Sequence, residues 1–313
     1  MNFEIDNLLI TGNGFDMDLG LQTSYKSFVK SDEWNRMRNK RKKENPHYSL
    51  IDFIEEASIR DEKWNDLEGT MLEYVLPNRD ANFVNNVEED KEDYAAICKT
   101  LVEYLCNLFW KPKPIVVAEH MSKSFAGQLF SDFFDPLFGP DRNVLYTFNY
   151  TPLEIIYSNV NGFPTTAEYY NVHGFISRED FLKKTYDGSS IILGIMTDKV
   201  IAPGYSFLIK SNHPNYKKIL SNIEHDLIYA RNVIIFGHSL NEIDFGYFLS
   251  YFKNIEINVK KERKLTIVTK DDESKKSIIT NIEKMGVSYG DICNHTNVEF
   301  IHTDKKRSEK TSL

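Results

Sequence analysis

Residues Asn7-Leu8-Leu9-Ile10-Thr11-Gly12-Asn13-Gly14-Phe15-Asp16 decide the fold. A short apolar run that stops abruptly at a glycine turn reads as a buried strand delivering its backbone to a ligand, as strands of parallel sheets do. Gly12 and Gly14 permit backbone conformations and close approaches that a side chain would forbid. Asp16 stands where it can cap whatever follows, and the chain runs on through Leu19-Gly20-Leu21-Gln22-Thr23-Ser24-Tyr25. A GxG alone is weak, because tight turns use it constantly. This one lacks the third glycine of the dinucleotide fingerprint, which argues against an ordinary dehydrogenase.

Beyond this turn the pattern becomes helical. Ser49 to Glu56 and Tyr94 to Phe109 place apolar residues three and four apart. After residue 140 strand runs return: Val144–Phe148, Tyr169–Val172, Ile191–Leu193, Val233–Phe236, Leu265–Val268 and Val298–Ile301. Helical patterns such as Tyr216–Ala230 and Ser274–Met285 separate several of them. Strands alternating with helices predict an α/β, Rossmann-like fold with a mainly parallel sheet covered on both faces. The first strand joins the later ones, so residues 1–23 and 136–303 form the nucleotide-binding domain. Residues 24–135 then form a large helical insertion, and 304–313 a polar tail.

Composition narrows the class. The 313 residues are 41% hydrophobic and 27% charged, which excludes a disordered, collagen-like or coiled-coil chain. With 38 Lys and Arg against 46 Asp and Glu the net charge is −8, against nucleic-acid binding by bulk charge. The basic run Arg36, Arg38, Lys40, Arg41, Lys42, Lys43 and the acidic run Glu88, Glu89, Asp90, Glu92, Asp93 read as solvated surface, a nucleic-acid or partner contact being the minority reading of the first. Cys98, Cys106 and Cys293 match no disulfide framework or zinc spacing and read as buried thiols, and no metal is expected. The acidic start lacks the order of a signal peptide, and no apolar run approaches the ~20 residues of a membrane span. The expectation is a cytoplasmic protein in a reducing compartment, without a membrane partner.

Four polar turns follow predicted strands: Gly12–Asp16, Phe148–Thr151, Asn171–Gly174, and Gly237-His238-Ser239-Leu240 with Asp244. Ligands of open parallel sheets bind outside the carboxyl ends of the strands, so four such turns on one edge outweigh any one of them. His173 is the first candidate for catalysis, as a neutral imidazole able to accept a proton, with Gly174 leaving room beside the ring. His238 has the same surroundings. Either can equally close a strand by bonding backbone. Asn149 offers both donor and acceptor atoms for orienting a hydroxyl or a water, or else makes an Asx turn.

These segments together resemble a family. GNGFD followed by GLQTSYKSF, then Trp64-Asn65-Asp66-Leu67-Glu68, Phe148-Asn149-Tyr150-Thr151, Val172-His173-Gly174 and Phe236-Gly237-His238-Ser239-Leu240 through Asp244, look like the AbiH family of bacterial abortive-infection, antiphage proteins. A more distant similarity is to sirtuins and sirtuin-like NAD hydrolases. Gly12 and Gly14 match their first glycine turn, Gly20-Leu21 with Thr23 and Tyr25 the second stretch, Asn149 the asparagine, His173 the catalytic histidine, and Gly237 with Ser239 the late turn. Asn13 replaces their alanine and Thr151 their aspartate. The zinc module of the protein deacylases needs four cysteines, and three exist here.

The resemblance implies an antiphage effector that binds NAD as substrate and cleaves its nicotinamide–ribose bond. His173 would be the general base and Asn149 its positioning partner. Gly12, Asn13, Gly14, Phe15, Asp16, Thr23, Tyr25, Gly237, His238, Ser239 and Asp244 would contact the dinucleotide, with backbone N–H groups of Gly12 to Phe15 on the pyrophosphate. Asp16 would turn toward ribose or backbone. Trp64 and Glu68, four apart on a predicted helix, read as packing and solvated residues or, alternatively, bring Glu68 to the substrate. A nucleotide-binding sensor or partner-binding module without turnover is the alternative, and a nuclease-type effector the third. Restraint by self-assembly or by a defence partner is expected of an enzyme that would otherwise harm its host.

Overall fold

The computed structural model describes residues 3–61, 66–77, 86–111, 121–133, 142–157 and 168–304. Six strands, β1 (Ile5–Thr11), β2 (Asn143–Thr147), β3 (Glu168–Asn171), β4 (Ala230–Phe236), β5 (Lys264–Thr269) and β6 (Asn297–His302), form one sheet in the order β3-β2-β1-β4-β5-β6. Every neighbouring pair is parallel. The chain builds outward from β1 to β3 and then returns to the other flank of β1 with β4. The carboxyl ends of β1 and β4 are therefore the switch point at which a crevice opens.

The strands are apolar on both faces, which is why the first reads as a continuous run. Leu9, Leu145, Phe236 and Val268 belong to one buried cluster, and Leu8, Ile10, Val144, Tyr146, Val233, Ile235, Leu265 and Ile267 to the other. Helices Tyr216–Tyr229, Phe245–Ile257 and Asp272–Lys284 supply the second cluster with Leu227, Phe248 and Ile282. The first is closed by the helices between β1 and β2: α1 (Asn13–Asp18), α2 (Tyr25–Val29), α3 (Asp32–Glu44), α4 (Leu50–Arg60), α5 (Leu67–Val75), α6 (Val87–Trp110) and α7 (Phe125–Phe133). Trp34, Ile54, Met71, Leu101 and Phe130 from these helices share one core with Leu9 and Phe236. Side chains of Ser24, Ser31, Asp66 and Asn86 accept first-turn N–H groups of α2, α3, α5 and α6, caps worth about 1 kcal/mol each.

Several expectations are corrected. Ile191-Ile192-Leu193 is buried but makes no strand. Ile191 forms one isolated bridge to Gly174, and Ile192 donates its N–H to the His173 carbonyl, just past the end of the four-residue β3. Asp16 lies inside α1, whose cap is Gly12. Cys293 is exposed, while Cys98 and Cys106 are buried. The basic run is surface as expected, with Arg36, Lys40, Lys42 and Lys43 exposed, and it pairs with carboxylates: Arg36 meets Glu103 at 3.0 Å, Arg41 meets Asp93 at 2.7 Å, Lys42 meets Asp52 at 2.8 Å, and Arg38 pairs with Glu55. Of the acidic run, Asp90 and Asp93 are buried, Asp90 accepting from Leu50 N–H and the hydroxyls of Tyr74 and Tyr205. Trp64 and the tail beyond Asp304 lie outside the described residues. Among the described residues no helix is long and apolar enough to cross a membrane.

Candidate functional site

The turn after β1 is packed backbone to backbone on the turn after β4. Gly12 N–H donates to the Phe236 carbonyl and Gly14 N–H to the Gly237 carbonyl, each at 2.9 Å. A Cβ on Gly14 would stand 2.7 Å from Gly237 Cα, and Gly237 itself has φ of +65°, so this approach requires glycine on both sides. Phe15 N–H returns to the Gly12 carbonyl, and its ring enters the core edge-on to Phe236 at 5.3 Å. Phe15 thus stabilises the turn from below and is not among the residues that line the cleft. The N–H groups of Gly12, Gly14 and Phe15 are all engaged within the protein.

Above these turns opens a cleft of about 590 Å³. Gly12, Asn13, Gly14 and Asp16 line it from β1, Asn149 to Thr151 from β2, His173 from β3, and Gly237 to Ser239 with Asp244 from β4. Tyr25, Asp66, Glu68 and Leu105 close it from the helices that follow β1. Past Gly14, Met17 and Gly237–Ser239 the cleft continues into a second lobe of about 510 Å³ that carries Lys270, Ser274 and Ser277.

Two polar clusters organise its walls. In the first, Asp16 accepts from Asn149 Nδ2 at 2.8 Å, from Thr23 Oγ1 at 3.0 Å and from Thr151 Oγ1. Burial outweighs these hydrogen bonds and pushes the Asp16 carboxyl up to about 6. Asn149 Nδ2 also donates to the Gly12 carbonyl at 3.0 Å, which leaves its Oδ1 without a partner among the described residues. The departures at positions 13 and 151 belong to this cluster, for Thr23 Oγ1 is also 3.1 Å from Asn13 Oδ1.

The second cluster centres on Lys210, whose side chain is fully buried. Its ammonium lies 2.9 Å from Glu68 Oε2, 3.1 Å from Asp244 Oδ1 and 3.3 Å from His173 Nε2. Glu68 Oε1 accepts the Gly194 N–H at 3.0 Å. His238 Nδ1 accepts the Leu240 N–H at 3.0 Å, which assigns the ring proton to Nε2, 3.4 Å from Asp244 Oδ2. Burial raises the Glu68 carboxyl to about 7 against the pull of Lys210. Burial acts on Asp244 in the same sense, yet the Lys210 ammonium beside it holds it well below the usual carboxylate range. Burial and the adjacent ammonium push His173 down to about 4, so the imidazole is neutral at pH 7. Among the described residues no group of His, Cys, Asp and Glu is arranged to hold a metal ion.

The sequence reading missed Lys210. It sits in Leu208-Ile209-Lys210-Ser211, a segment with no motif, held against Ile195 by the Ile195 N–H to the Leu208 carbonyl and the Lys210 N–H to the Ile195 carbonyl. Glu68 is brought to the site by α5, capped at Asp66.

The model of the family described as bacteriophage abortive infection AbiH matches residues 8–267, a span that takes in all four turns, Glu68 and Lys210. Comparison with curated proteins returns no match.

Proposed function

The chain belongs to the bacteriophage abortive infection AbiH family, and from that premise we propose that its cleft is the active site of an NAD glycohydrolase. Abortive-infection defence against phage is the role the family carries. The observation that carries the enzymatic reading is the convergence of Asn149 and His173 on one cleft at the switch point of a parallel sheet. Its two adjoining lobes suit the two halves of a dinucleotide, with Ser277 at their junction and Lys270 offering a donor in the second.

The chemistry is undemanding of the leaving group. The bond from C1′ of the ribose to the pyridinium nitrogen breaks, its electron pair stays on nitrogen, and neutral nicotinamide departs without a proton. Charge develops on the sugar as in glycoside hydrolysis. Water then bonds to C1′ and loses one proton. Asn149 Oδ1 holds the water or a ribose hydroxyl, since its Nδ2 is anchored on Asp16 and Gly12. Glu68 accepts the proton, because a carboxyl that titrates near 7 suits a base working at neutral pH. His173 contacts the sugar.

A nucleotide-binding sensor without turnover is the second reading, favoured by the closure of the Lys210 cluster, in which both nitrogens of His238 are engaged. Incubation of the pure protein with NAD, followed by chromatography for nicotinamide and calorimetry for NAD binding, decides between them. Nicotinamide release that fails in Asn149→Ala supports the hydrolase. Binding without release supports the sensor, and neither removes both.

A further inference from the structure

Lys210 has three N–H bonds and no lone pair. Three acceptors surround it within hydrogen-bond reach: Glu68 Oε2, Asp244 Oδ1 and His173 Nε2. An ammonium so placed uses the lone pair of Nε2, and a neutral imidazole that accepts at one nitrogen carries its proton on the other. The rival partner for Nε2 is Asp244 Oδ1 at 3.6 Å, too far for a good hydrogen bond. Asp244 is already divided, Oδ1 to Lys210 and Oδ2 facing the Nε2 of His238. His173 Nδ1 has no partner among the described residues, and the ring lines the cleft, set edge-on to Phe148 at 5.2 Å.

We infer that Lys210 is a positioning residue which fixes His173 as a hydrogen-bond donor, so that the imidazole meets a bound ligand with Nδ1–H rather than with a lone pair. This reverses the direction of proton traffic expected from the sequence. A donor there selects an acceptor on the ligand, such as a sugar oxygen or a carbonyl, and leaves proton acceptance to the carboxylates of the wall. The ligand half of the inference rests on the glycohydrolase reading, whereas the tautomer does not depend on turnover. The groups facing the ring are Lys210, Asp244 and His238 at its inner edge, with the rings of Phe148, Tyr150 and Tyr247 around it.

The test is long-range proton–nitrogen NMR of the ligand-free full chain with labelled histidine, His173 being assigned by loss of its signals in His173→Gln. At pH 7 the expected pattern is a protonated Nδ1 and an unprotonated Nε2. In Lys210→Met the two nitrogens should exchange character, because Asp244 becomes the nearest partner of Nε2. Where that variant does not fold, Lys210→Met/Glu68→Gln, which also removes the unpaired glutamate charge, takes its place. A protonated Nε2 in the wild-type chain, or an unchanged pattern without Lys210, overturns the inference. Nicotinamide release is scored separately, so its absence removes the glycohydrolase reading and leaves the tautomer result standing.

Discussion

Asp16 provides a direct measure of what the buried site costs the fold. Its carboxyl titrates at about 6 in the native protein, against ~3.9 in an unfolded chain, a gap equivalent to roughly 3 kcal/mol. Between those two pH values the native state keeps a proton that the unfolded state has lost. Native binding then exceeds unfolded binding, so stability falls as pH rises, with the full penalty present above about pH 6. Asp16→Asn removes the titration while one amide oxygen can still accept from Asn149 and the amide nitrogen can face the hydroxyls of Thr23 and Thr151. Urea unfolding at about pH 4, where the unfolded carboxyl is already half ionised, and about pH 7.5 should show the wild type losing roughly 2 kcal/mol more than the variant across that interval. Glu68 acts in the same sense but is common to both proteins and cancels. Equal pH slopes, or a wild type that gains on the variant, would mean that the three hydrogen bonds outweigh desolvation and that the reasoning is wrong.

The other expectations concern packing, rate and charge. Gly14→Ala puts a Cβ 2.7 Å from the Gly237 backbone and should cost about 1–3 kcal/mol through overpacking; an unchanged melting temperature by circular dichroism would show that the two turns can part freely. If the cleft is the proposed glycohydrolase site, nicotinamide release should rise with pH and level off above about 7 as Glu68 ionises, and Glu68→Gln should lower it by ~10²–10⁴. A variant that keeps both rate and pH profile removes Glu68 from the reaction. Arg41→Ala deprives the buried carboxylate of Asp93 of its 2.7 Å partner and should lower the urea midpoint by the equivalent of about 1–3 kcal/mol. A midpoint unchanged at pH 7 would return the basic run to the role of free surface charge.

All six strands were legible as apolar runs, and the four that end at glycine or asparagine also mark the edge of the sheet. The first turn and the residues Asn149, His173 and His238 were legible for that reason. Ile191–Leu193 has the same composition and is buried, yet composition reports burial and not pairing, and its place beyond the four-residue β3 leaves it a single bridge. Phe15 was misread because helical phase, set by a helix beginning at Asn13, sends its ring to the core while Asp16 faces the cleft. Lys210 was invisible for a deeper reason. Its identity as the centre of a charge cluster comes from residues 142 and 34 positions away in sequence, and nothing local records that neighbourhood. The burial of Asp90 and Asp93 within an acidic run has the same origin.

The central strand of the sheet is the first to be synthesised, and both of its neighbours come much later. β1 ends at Thr11, while β2 begins at Asn143 and β4 at Ala230. On the ribosome the apolar run Leu8-Leu9-Ile10 therefore waits for partners that do not yet exist, a state that invites chaperone binding and slow, non-local closure. The site inherits the same delay, since Glu68 is made early but Asp244 and the turn at Gly237 close the cleft only after most of the chain has emerged. A nascent chain that has not yet reached Asp244 thus holds no assembled cleft.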